Sequence, residues 1–356
     1  MAMMVNRTDV QKYYGKILKT KADLKTSACC STEAMPGYMK PILSMIDGEI
    51  HEKFYGCGSP IPLGLEGCTV LDLGCGTGRD AYVLSKLVGP KGRVIGVDMT
   101  EEQIEVARKH QSSMAEKYGY GESNVEFLHG YIEELDRLGI EDGSVDLVVS
   151  NCVVNLSFDK AKLLAETFRV LKPGGELYFS DVFTSRRIPA ELKDDPVLIG
   201  ECIAGAYYTE DFRRAMAAVG CPDVRIVSER EIKVHDPKVK EKIGLTRLFS
   251  RTVRAFKMPT LEDTAEDYGQ VATYLGTVRE EPHCFTLDSG HCFEAHRPVT
   301  ISGNTALMLT ESRFARHFKV DGDRSRHFGH FQLSGVGAGK KWEENAEGDA
   351  TGSGCC

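Results

Sequence analysis

The sequence contains no run of about 18 apolar residues and no stripe of basic residues. The missing apolar run argues against a membrane-spanning helix. Acidic residues outnumber basic ones by 52 to 44, for a formal net charge of −8. We therefore expect no nucleic-acid partner and no membrane partner. The first residues, MAMMVNRTDVQKYYG, lack the apolar core and cleavage site of a secretory signal, so a cytoplasmic location is expected.

The cysteines argue against a structural zinc site and against a disulfide scaffold. The chain has 12 cysteines but no C-x₂-C pair, the spacing typical of structural zinc sites. Its one local cluster, formed by His283, Cys284, His291 and Cys292, does not match a standard zinc finger. Because thiols of a cytoplasmic protein stay reduced, a disulfide scaffold is not expected. The thiols are then core residues, metal or metalloid ligands, or redox groups.

Apolar, strand-like runs alternate with helical patterns between residues 68 and 182. This alternation predicts an α/β fold with a parallel, doubly wound sheet. Helices are predicted over Asp80–Val88, Glu101–Tyr118 and Asp159–Leu171, and the last is stopped by the proline and glycines of LKPGG. The later runs VRIVSE and SRTVRAF are expected to complete the sheet.

Composition divides the chain into five predicted segments. These are a helical N-terminal lead (1–66), a ligand-binding core (67–182), a substrate-binding segment that completes the sheet (183–259), a small irregular C-terminal domain (260–333) and a disordered tail (334–356). The tail is expected to be disordered because GVGAGKKWEENAEGDATGSGCC is rich in Gly and Glu.

The segment VLDLGCGTGRD is a strand running into a turn with Gly74, Gly76 and Gly78. Glycines at this spacing let a ligand lie directly against backbone N–H groups. Asp98 ends the next strand, 20 residues after Gly78, at the offset where a carboxylate meets ribose hydroxyls. A dinucleotide loop reads G-x-G-x-x-G, whereas this one reads G-x-G-x-G and continues with Arg79. The loop therefore favours a different ligand that carries an adenosine.

Together with the LKPGG turn, this loop resembles that of the Rossmann-like class I methyltransferases. The resemblance implies S-adenosyl-L-methionine as the cofactor. Because ligands of such sheets bind at the carboxyl ends of the strands, residues that follow several strands can meet in one pocket. The cofactor-binding residues predicted at this edge are Asp72, Gly74, Gly76, Gly78, Asp98, Met99, Tyr131 and Asn151.

Five cysteines lie in segments that could reach this pocket. Cys152 directly follows the fourth strand, Cys202 lies beyond the fifth, and Cys57 precedes the first. Cys29 and Cys30 lie further upstream. Three well-separated thiols suit a soft, thiophilic centre with threefold coordination, of which arsenic(III) is an example.

Apart from Cys284 and Cys292 of the His/Cys cluster, the remaining cysteines divide into two sets. Cys68, Cys75 and Cys221 are expected to be inert residues of the core or the glycine loop. The final pair, Cys355 and Cys356, is either an auxiliary chelator of arsenic or a dispensable end.

Five segments match the arsenite methyltransferases in order and spacing over roughly Tyr13–Asp236: YGKILKTKADLKTSACC, FYGCGSPIP, LDLGCGTGRD, SNCVVNL and GECIAGAYY. LTESRFARHF resembles the C-terminal domain of that family. The resemblance implies methylation of arsenite to methylated arsenicals by a monomer, with an inserted arsenic-binding segment.

The resemblance also places Tyr55 near the cofactor and implies roles for the catalytic cysteines. Cys57, Cys152 and Cys202 would bind arsenic(III), and Cys29 or Cys30 would be the redox partner, with the spacing to Ala22–Leu24 favouring Cys29. As a hypothesis, a disulfide between Cys29 and Cys57 would return the product to the trivalent state. Thioredoxin or glutathione would then serve as the thiol reductant. Two alternatives stay open: a methyltransferase for a small organic molecule with structural cysteines, and a metalloid-sequestering binding protein.

Overall fold

A computed structural model of the protein describes residues 36–52, 60–193, 195, 198–199 and 202–332. The predictions for Cys29, Cys30, Tyr55, Cys57 and the pair at 355–356 lie outside these residues. No helix within the described ranges has the length and apolar character needed to cross a bilayer.

The secondary structure follows the alternation predicted from the sequence. The helices are α1 (Met39–Met45), α2 (Gly48–Glu52), α3 (Arg79–Val88), α4 (Glu101–Lys109), α5 (Gln111–Tyr118), α6 (Lys160–Val170), α7 (Thr209–Ala218), α8 (Pro237–Ile243) and α9 (Gly303–Thr310). The strands are β1 (Thr69–Leu73), β2 (Arg93–Asp98), β3 (Val125–His129), β4 (Val145–Asn151), β5 (Leu171–Thr184), β6 (Tyr207–Tyr208), β7 (Val224–Ile232), β8 (Leu248–Phe256), β9 (Glu266–Asp267), β10 (Gln270–Tyr274), β11 (Cys284–Asp288), β12 (His291–Glu294), β13 (Pro298–Ile301), β14 (Phe318–Asp321) and β15 (Gly329–His330).

The central sheet has the strand order β3-β2-β1-β4-β5-β8-β7, with the short β6 paired to β5. Strands β1 to β5 pair in parallel, which confirms the predicted Rossmann-like core. The predicted completion of the sheet by VRIVSE and SRTVRAF is also confirmed, since these runs lie in β7 and β8. Strand β8 is antiparallel to both neighbours. The apolar pattern of a strand carries no direction, so this reversal was not predicted.

Two local boundaries differ from the prediction. The single helix predicted over Glu101–Tyr118 is divided into α4 and α5 at His110, whose ring contacts Asp47 at 3.2 Å and Glu49 at 2.9 Å. The LKPGG segment, predicted as a turn, already belongs to β5, whose register with β4 shifts there. Lys257 Nζ donates to the carbonyl of Leu171 at 2.7 Å and so helps to hold this segment extended.

The C-terminal region is small, as predicted, but regular rather than irregular. Strands β13, β10 and β14 form one sheet, β11 and β12 form a hairpin, and α9 packs against β10 and β14. Buried Tyr274, Phe285 and Phe293 belong to the same hydrophobic core as Leu164 of α6 and Phe256 of β8. The region therefore shares the core of the central sheet.

Glu176 of β5 is completely buried between two arginines. Its carboxylate pairs with Arg254 of β8 at 2.8 Å and with Arg313, which follows α9. Arg313 also donates to the carbonyl of Leu63 at 3.2 Å. These contacts tie the C-terminal region to the sheet and to the segment before β1.

Replacing Glu176 with Gln should lower the free energy of unfolding by about 3–5 kcal/mol, because two buried guanidinium groups lose their counter-charge. Denaturant titration followed by circular dichroism measures this change. The matched control is Glu210→Gln, which breaks an exposed pair with Arg213 of 2.9 Å and should cost less than about 1 kcal/mol. Equal losses in both variants would contradict the assigned role of Glu176.

Candidate functional site

The glycine loop between β1 and α3 packs closely against its surroundings. Gly74 has φ +72°, and a Cβ atom there would overlap the side chain of Val153. Gly78 caps α3 with φ +85°, and its Cβ would lie 2.7 Å from the ring of Phe127. Glycine is therefore required at both positions by backbone conformation and by space.

Asp98 at the end of β2 holds the glycine loop in place. Its Oδ2 accepts a hydrogen bond from Gly76 N at 3.0 Å, and its Oδ1 accepts one from Thr100 N at 2.8 Å. Burial raises the pKa of Asp98 above its ordinary value, and these hydrogen bonds oppose the rise. Each carboxylate oxygen keeps a second lone pair that could accept a ligand hydroxyl.

One cavity lies at the carboxyl ends of β1, β2 and β4. The predicted residues that line it are Asp72, Gly74, Gly76, Asp98, Met99, Tyr131, Asn151 and Cys152. Gly78 does not line the cavity and acts in the cap of α3 instead. The structure thus gathers the predicted strand-end residues at one place.

Several polar residues of the cavity were not predicted as site residues, among them Asp80, Glu133 and Gln103. Asp80 accepts from Asn151 Nδ2 at 2.9 Å and from the guanidinium of Arg79 at 2.7 Å. Glu133 accepts from Ser157 Oγ at 2.7 Å. Gln103 projects from α4. Asp80 follows the glycine loop directly in the sequence, but nothing in the local pattern marks the other two.

Two buried oxygen atoms beside the cavity have no hydrogen-bond partner: Asp72 Oδ2 and Gln103 Oε1. Burial raises the pKa of Asp72 well above its ordinary value, and the nearby carboxylates of Asp80 and Asp98 raise it further. Unpaired polar atoms of this kind are costly unless a ligand satisfies them.

Cys152 and Cys202 are brought together at this cavity. Cys152 lines it, and Cys202 Sγ donates to the carbonyl oxygen of Cys152 at 3.7 Å. Both residues have φ +59°, and His296 is the other non-glycine residue with positive φ in the described ranges. This backbone conformation is strained for side-chain-bearing residues and is concentrated at functional sites. Cys202 is buried and is not disulfide-bonded, whereas Cys152 is disulfide-bonded in this structure.

The segment after Cys152 is fixed by a buried carboxylate. Asp181 of β5 accepts from Asn155 N at 3.0 Å and from Asn155 Nδ2 at 2.7 Å. Burial raises the pKa of Asp181 to about 7, against the effect of these hydrogen bonds. Asp181 thereby helps to position the loop that carries Cys152.

The other described cysteines do not belong to this pair of thiols. Cys68, Cys75 and Cys221 are buried and not disulfide-bonded, and burial raises the pKa of each thiol. Cys75 also lines the cavity. Cys284 and Cys292 form a disulfide, so the prediction of reduced thiols is wrong for this pair. The hairpin register that brings them together was not visible in the sequence. No group of three or more metal-ligating side chains occurs in the part of the chain that the structure describes.

Comparison with known proteins agrees with this geometry. Residues 65–220 match a family described as "Methyltransferase domain", and residues 268–347 match the "Arsenite methyltransferase C-terminal domain". The arsenite methyltransferase of Aquipseudomonas alcaligenes is 49% identical over 347 residues, which cover 98% of this chain and 99% of that protein. The arsenite methyltransferase of Homo sapiens is 43% identical over 313 residues, which cover 88% and 83%.

A solved structure is similar over most of the chain. The crystal structure of an arsenic(III) S-adenosylmethionine methyltransferase from Chlamydomonas reinhardtii aligns with a TM-score of 0.81 and 51% identity. The alignment covers 84% of this chain and 100% of that chain. The class I methyltransferase fold is thereby confirmed, and the chain belongs to the arsenite methyltransferase family.

Proposed function

We propose that this protein transfers a methyl group from S-adenosyl-L-methionine to arsenic(III) held by the thiolates of Cys57, Cys152 and Cys202. The observation that carries the proposal is the contact between Cys202 Sγ and the Cys152 carbonyl beside the glycine-loop cavity. The donor cavity and two of the three proposed arsenic ligands thus share one place. Arsenite and its methylated products are the proposed substrates.

The polar lining of the cavity supports binding of the cofactor. S-adenosyl-L-methionine supplies, when bound, an electrophilic methyl group on a sulfonium. Its ammonium and ribose hydroxyl groups are hydrogen-bond donors, and the unpaired oxygens of Asp72 and Gln103 are acceptors that need such donors. The proposed cofactor contacts are therefore Asp72, Gln103, Asp98 and the backbone of the glycine loop.

The three thiolates would position arsenic rather than activate it. Arsenic(III) bound to three sulfurs keeps a lone pair, so the attacking atom carries no proton and no general base is required. Rigid binding that directs this lone pair into the cavity would supply most of the rate gain. The left-handed backbone at Cys152 and Cys202 supports such preorganisation. Each As–S bond forms as one As–O bond and one S–H bond break, so three waters leave and binding of arsenous acid releases no net proton. Because the thiolate is the reacting form, the rate of arsenic binding should fall at low pH.

Repeated turnover also requires electrons. Methyl transfer would form the As–C bond with the arsenic lone pair while the electron pair of the methyl–sulfur bond stays with sulfur, so arsenic would pass formally from the trivalent to the pentavalent state. Two thiolates that join as a disulfide return two electrons. We assign this role to Cys57 with Cys29 or Cys30, and thioredoxin or glutathione would restore the thiols. Cys152 is itself disulfide-bonded here, so it must be reduced before it can bind arsenic.

Gly74→Ala should weaken binding of S-adenosyl-L-methionine at least tenfold, because the added Cβ overlaps Val153 and displaces the glycine loop. Isothermal titration calorimetry measures the affinity. Gly119→Ala is the matched control, since Gly119 has φ +76° but no atom within 4 Å of its added Cβ. The Gly119→Ala variant should be destabilised only by backbone strain and should bind the cofactor with unchanged affinity. Equal affinities in both variants would argue against close packing at Gly74.

Cys152→Ser and Cys202→Ser should each lower methyl transfer to arsenite by at least about 100-fold, because a misplaced reactant costs about that factor. Product is measured by chromatography with mass spectrometry, and cofactor binding should persist. The control is Cys221→Ser, at a buried free thiol whose Sγ donates to Asp223 O at 3.5 Å, a contact that a hydroxyl can replace. Full turnover in both site variants would overturn the ligand assignment.

Removing Cys29 and Cys30 together by substitution with Ser should reduce multiple turnover of arsenite at least tenfold, because the pentavalent product is no longer returned to the trivalent state. A single methyl transfer per chain should remain in a rapid-quench experiment. An already methylated substrate should be affected less. The two single variants identify the redox partner, and unchanged multiple turnover in the double variant would exclude both cysteines from that role.

A further inference from the structure

The exposed face of the β11–β12 hairpin carries a pair of cysteines that the proposed function does not use. In the antiparallel register Cys284 lies opposite Glu294, and Cys292 lies opposite Thr286, so the two cysteines are diagonal neighbours on one face. Their Cα atoms are 6.7 Å apart, and their sulfurs are joined in this structure. Cys292 is exposed to solvent and Cys284 is half-buried.

The opposite face of this hairpin is anchored in the core. Phe285, Leu287 and Phe293 are completely buried. The rings of Phe285 and Phe293 each lie 5.2 Å from the ring of Phe318. This apolar packing holds the two strands together independently of the bond between the sulfurs.

The turn of the hairpin is anchored as well. Asp288 pairs with His291 Nδ1 at 2.8 Å and with Arg225 of β7 at 3.1 Å. Ser289 N donates to the carbonyl of Ile226 at 2.9 Å. Reduction of the disulfide should therefore leave both thiols close together on a rigid support, which is a preorganised dithiol.

This pair is separate from the site around Cys152. The hairpin contacts β7, an edge strand of the central sheet, and β5 and β8 lie between β7 and β4. Leu287 of the hairpin also accepts a hydrogen bond from Arg254 of β8, so the hairpin lies beside β7 and β8, whereas Cys152 follows β4. Neither Cys284 nor Cys292 lines the cofactor cavity.

We propose that the reduced Cys284–Cys292 pair is a second arsenical site, which binds arsenic(III) carrying one organic substituent. The choice of ligand rests on the proposed function, whose first product is of this class. Methylarsonous acid has two exchangeable hydroxyl groups. Two As–S bonds form while two As–O bonds and two S–H bonds break, two waters leave, and arsenic stays trivalent.

The number of thiols selects this ligand over its relatives. Arsenite would retain one hydroxyl group on a two-thiol site, and a dimethylated arsenical can bind only one thiol. Zinc usually requires four protein ligands in a structural site, and the described residues offer no group of three or more metal-ligating side chains. Two thiols on a rigid hairpin satisfy a singly substituted arsenic(III) completely.

The binding stoichiometry tests this inference. The full chain is reduced with tris(2-carboxyethyl)phosphine, exposed to methylarsonous acid without oxygen, and analysed by intact-protein mass spectrometry. Cys284→Ser, Cys292→Ser and the double variant should each bind one methylarsenic group fewer than the unsubstituted chain, because one thiol cannot form the chelate. Thr286→Ser, on the same exposed face, is the matched control and should bind the full number. Retained cofactor affinity shows that each variant is folded.

Failure of this inference can be told apart from failure of the proposed function. In a Cys152→Ser and Cys202→Ser background the hairpin adduct should still form, and the double hairpin variant should still methylate arsenite. Equal stoichiometry in all hairpin variants would overturn the second site while leaving methyl transfer intact. Loss of methyl transfer with the adduct retained would overturn the proposed function instead.

Discussion

The absence of a side chain at Gly74 allows the segment after β4 to pack directly against the glycine loop. Val153 occupies the space where a Cβ would lie. Its neighbour Cys152 is thereby held at the rim of the cavity that the loop forms. The position of the cofactor loop and that of a proposed arsenic ligand thus depend on the same contact. A change that separates the two segments would disturb the donor and acceptor ends of the reaction together.

The two described cysteines of the proposed arsenic site adopt a strained backbone conformation. Left-handed conformation costs a residue with a side chain about 1–3 kcal/mol, and Cys152 and Cys202 both adopt it. The surrounding structure must supply this energy. Asp181 binds Asn155 through backbone and side chain, and Cys152 N donates to Ser180 O at 2.8 Å. The strain and its support occur together at the proposed metalloid ligands, which is the pattern expected of a preorganised site.

Most of the cavity residues could be predicted from the sequence because they lie at the carboxyl ends of the parallel strands. In a parallel sheet the carboxyl ends of neighbouring strands share one edge, so Asp72, Asp98, Tyr131 and Asn151 had to lie near one another once the alternation of strands and helices was recognised. The same logic predicted Cys152 at that edge. Cys202 was expected within reach of the pocket because it lies beyond the fifth strand. Its role as an arsenic ligand came only from the family resemblance, because its segment has no strand pattern that fixes its place.

The remaining features depend on information that local patterns lack. Gln103 and Glu133 reach the cavity through side-chain direction, which residue spacing alone does not encode. The division of the predicted long helix at His110 depends on Asp47 and Glu49, some 60 residues earlier in the chain. Long-range contacts of this kind override the preference of a helical pattern.

The C-terminal hairpin shows how one element can serve two independent purposes. Alternation along β11 and β12 sends aromatic side chains into the shared core and leaves Cys284 and Cys292 on the outer face. The free energy that holds the hairpin comes from the inner face and from the ion pairs of Asp288. Chemistry at the outer sulfurs can therefore change without loss of the fold. The reduced Cys284–Cys292 pair can therefore bind an arsenical at the surface while the hairpin stays folded. A thiol that was needed to hold the core together could not do so.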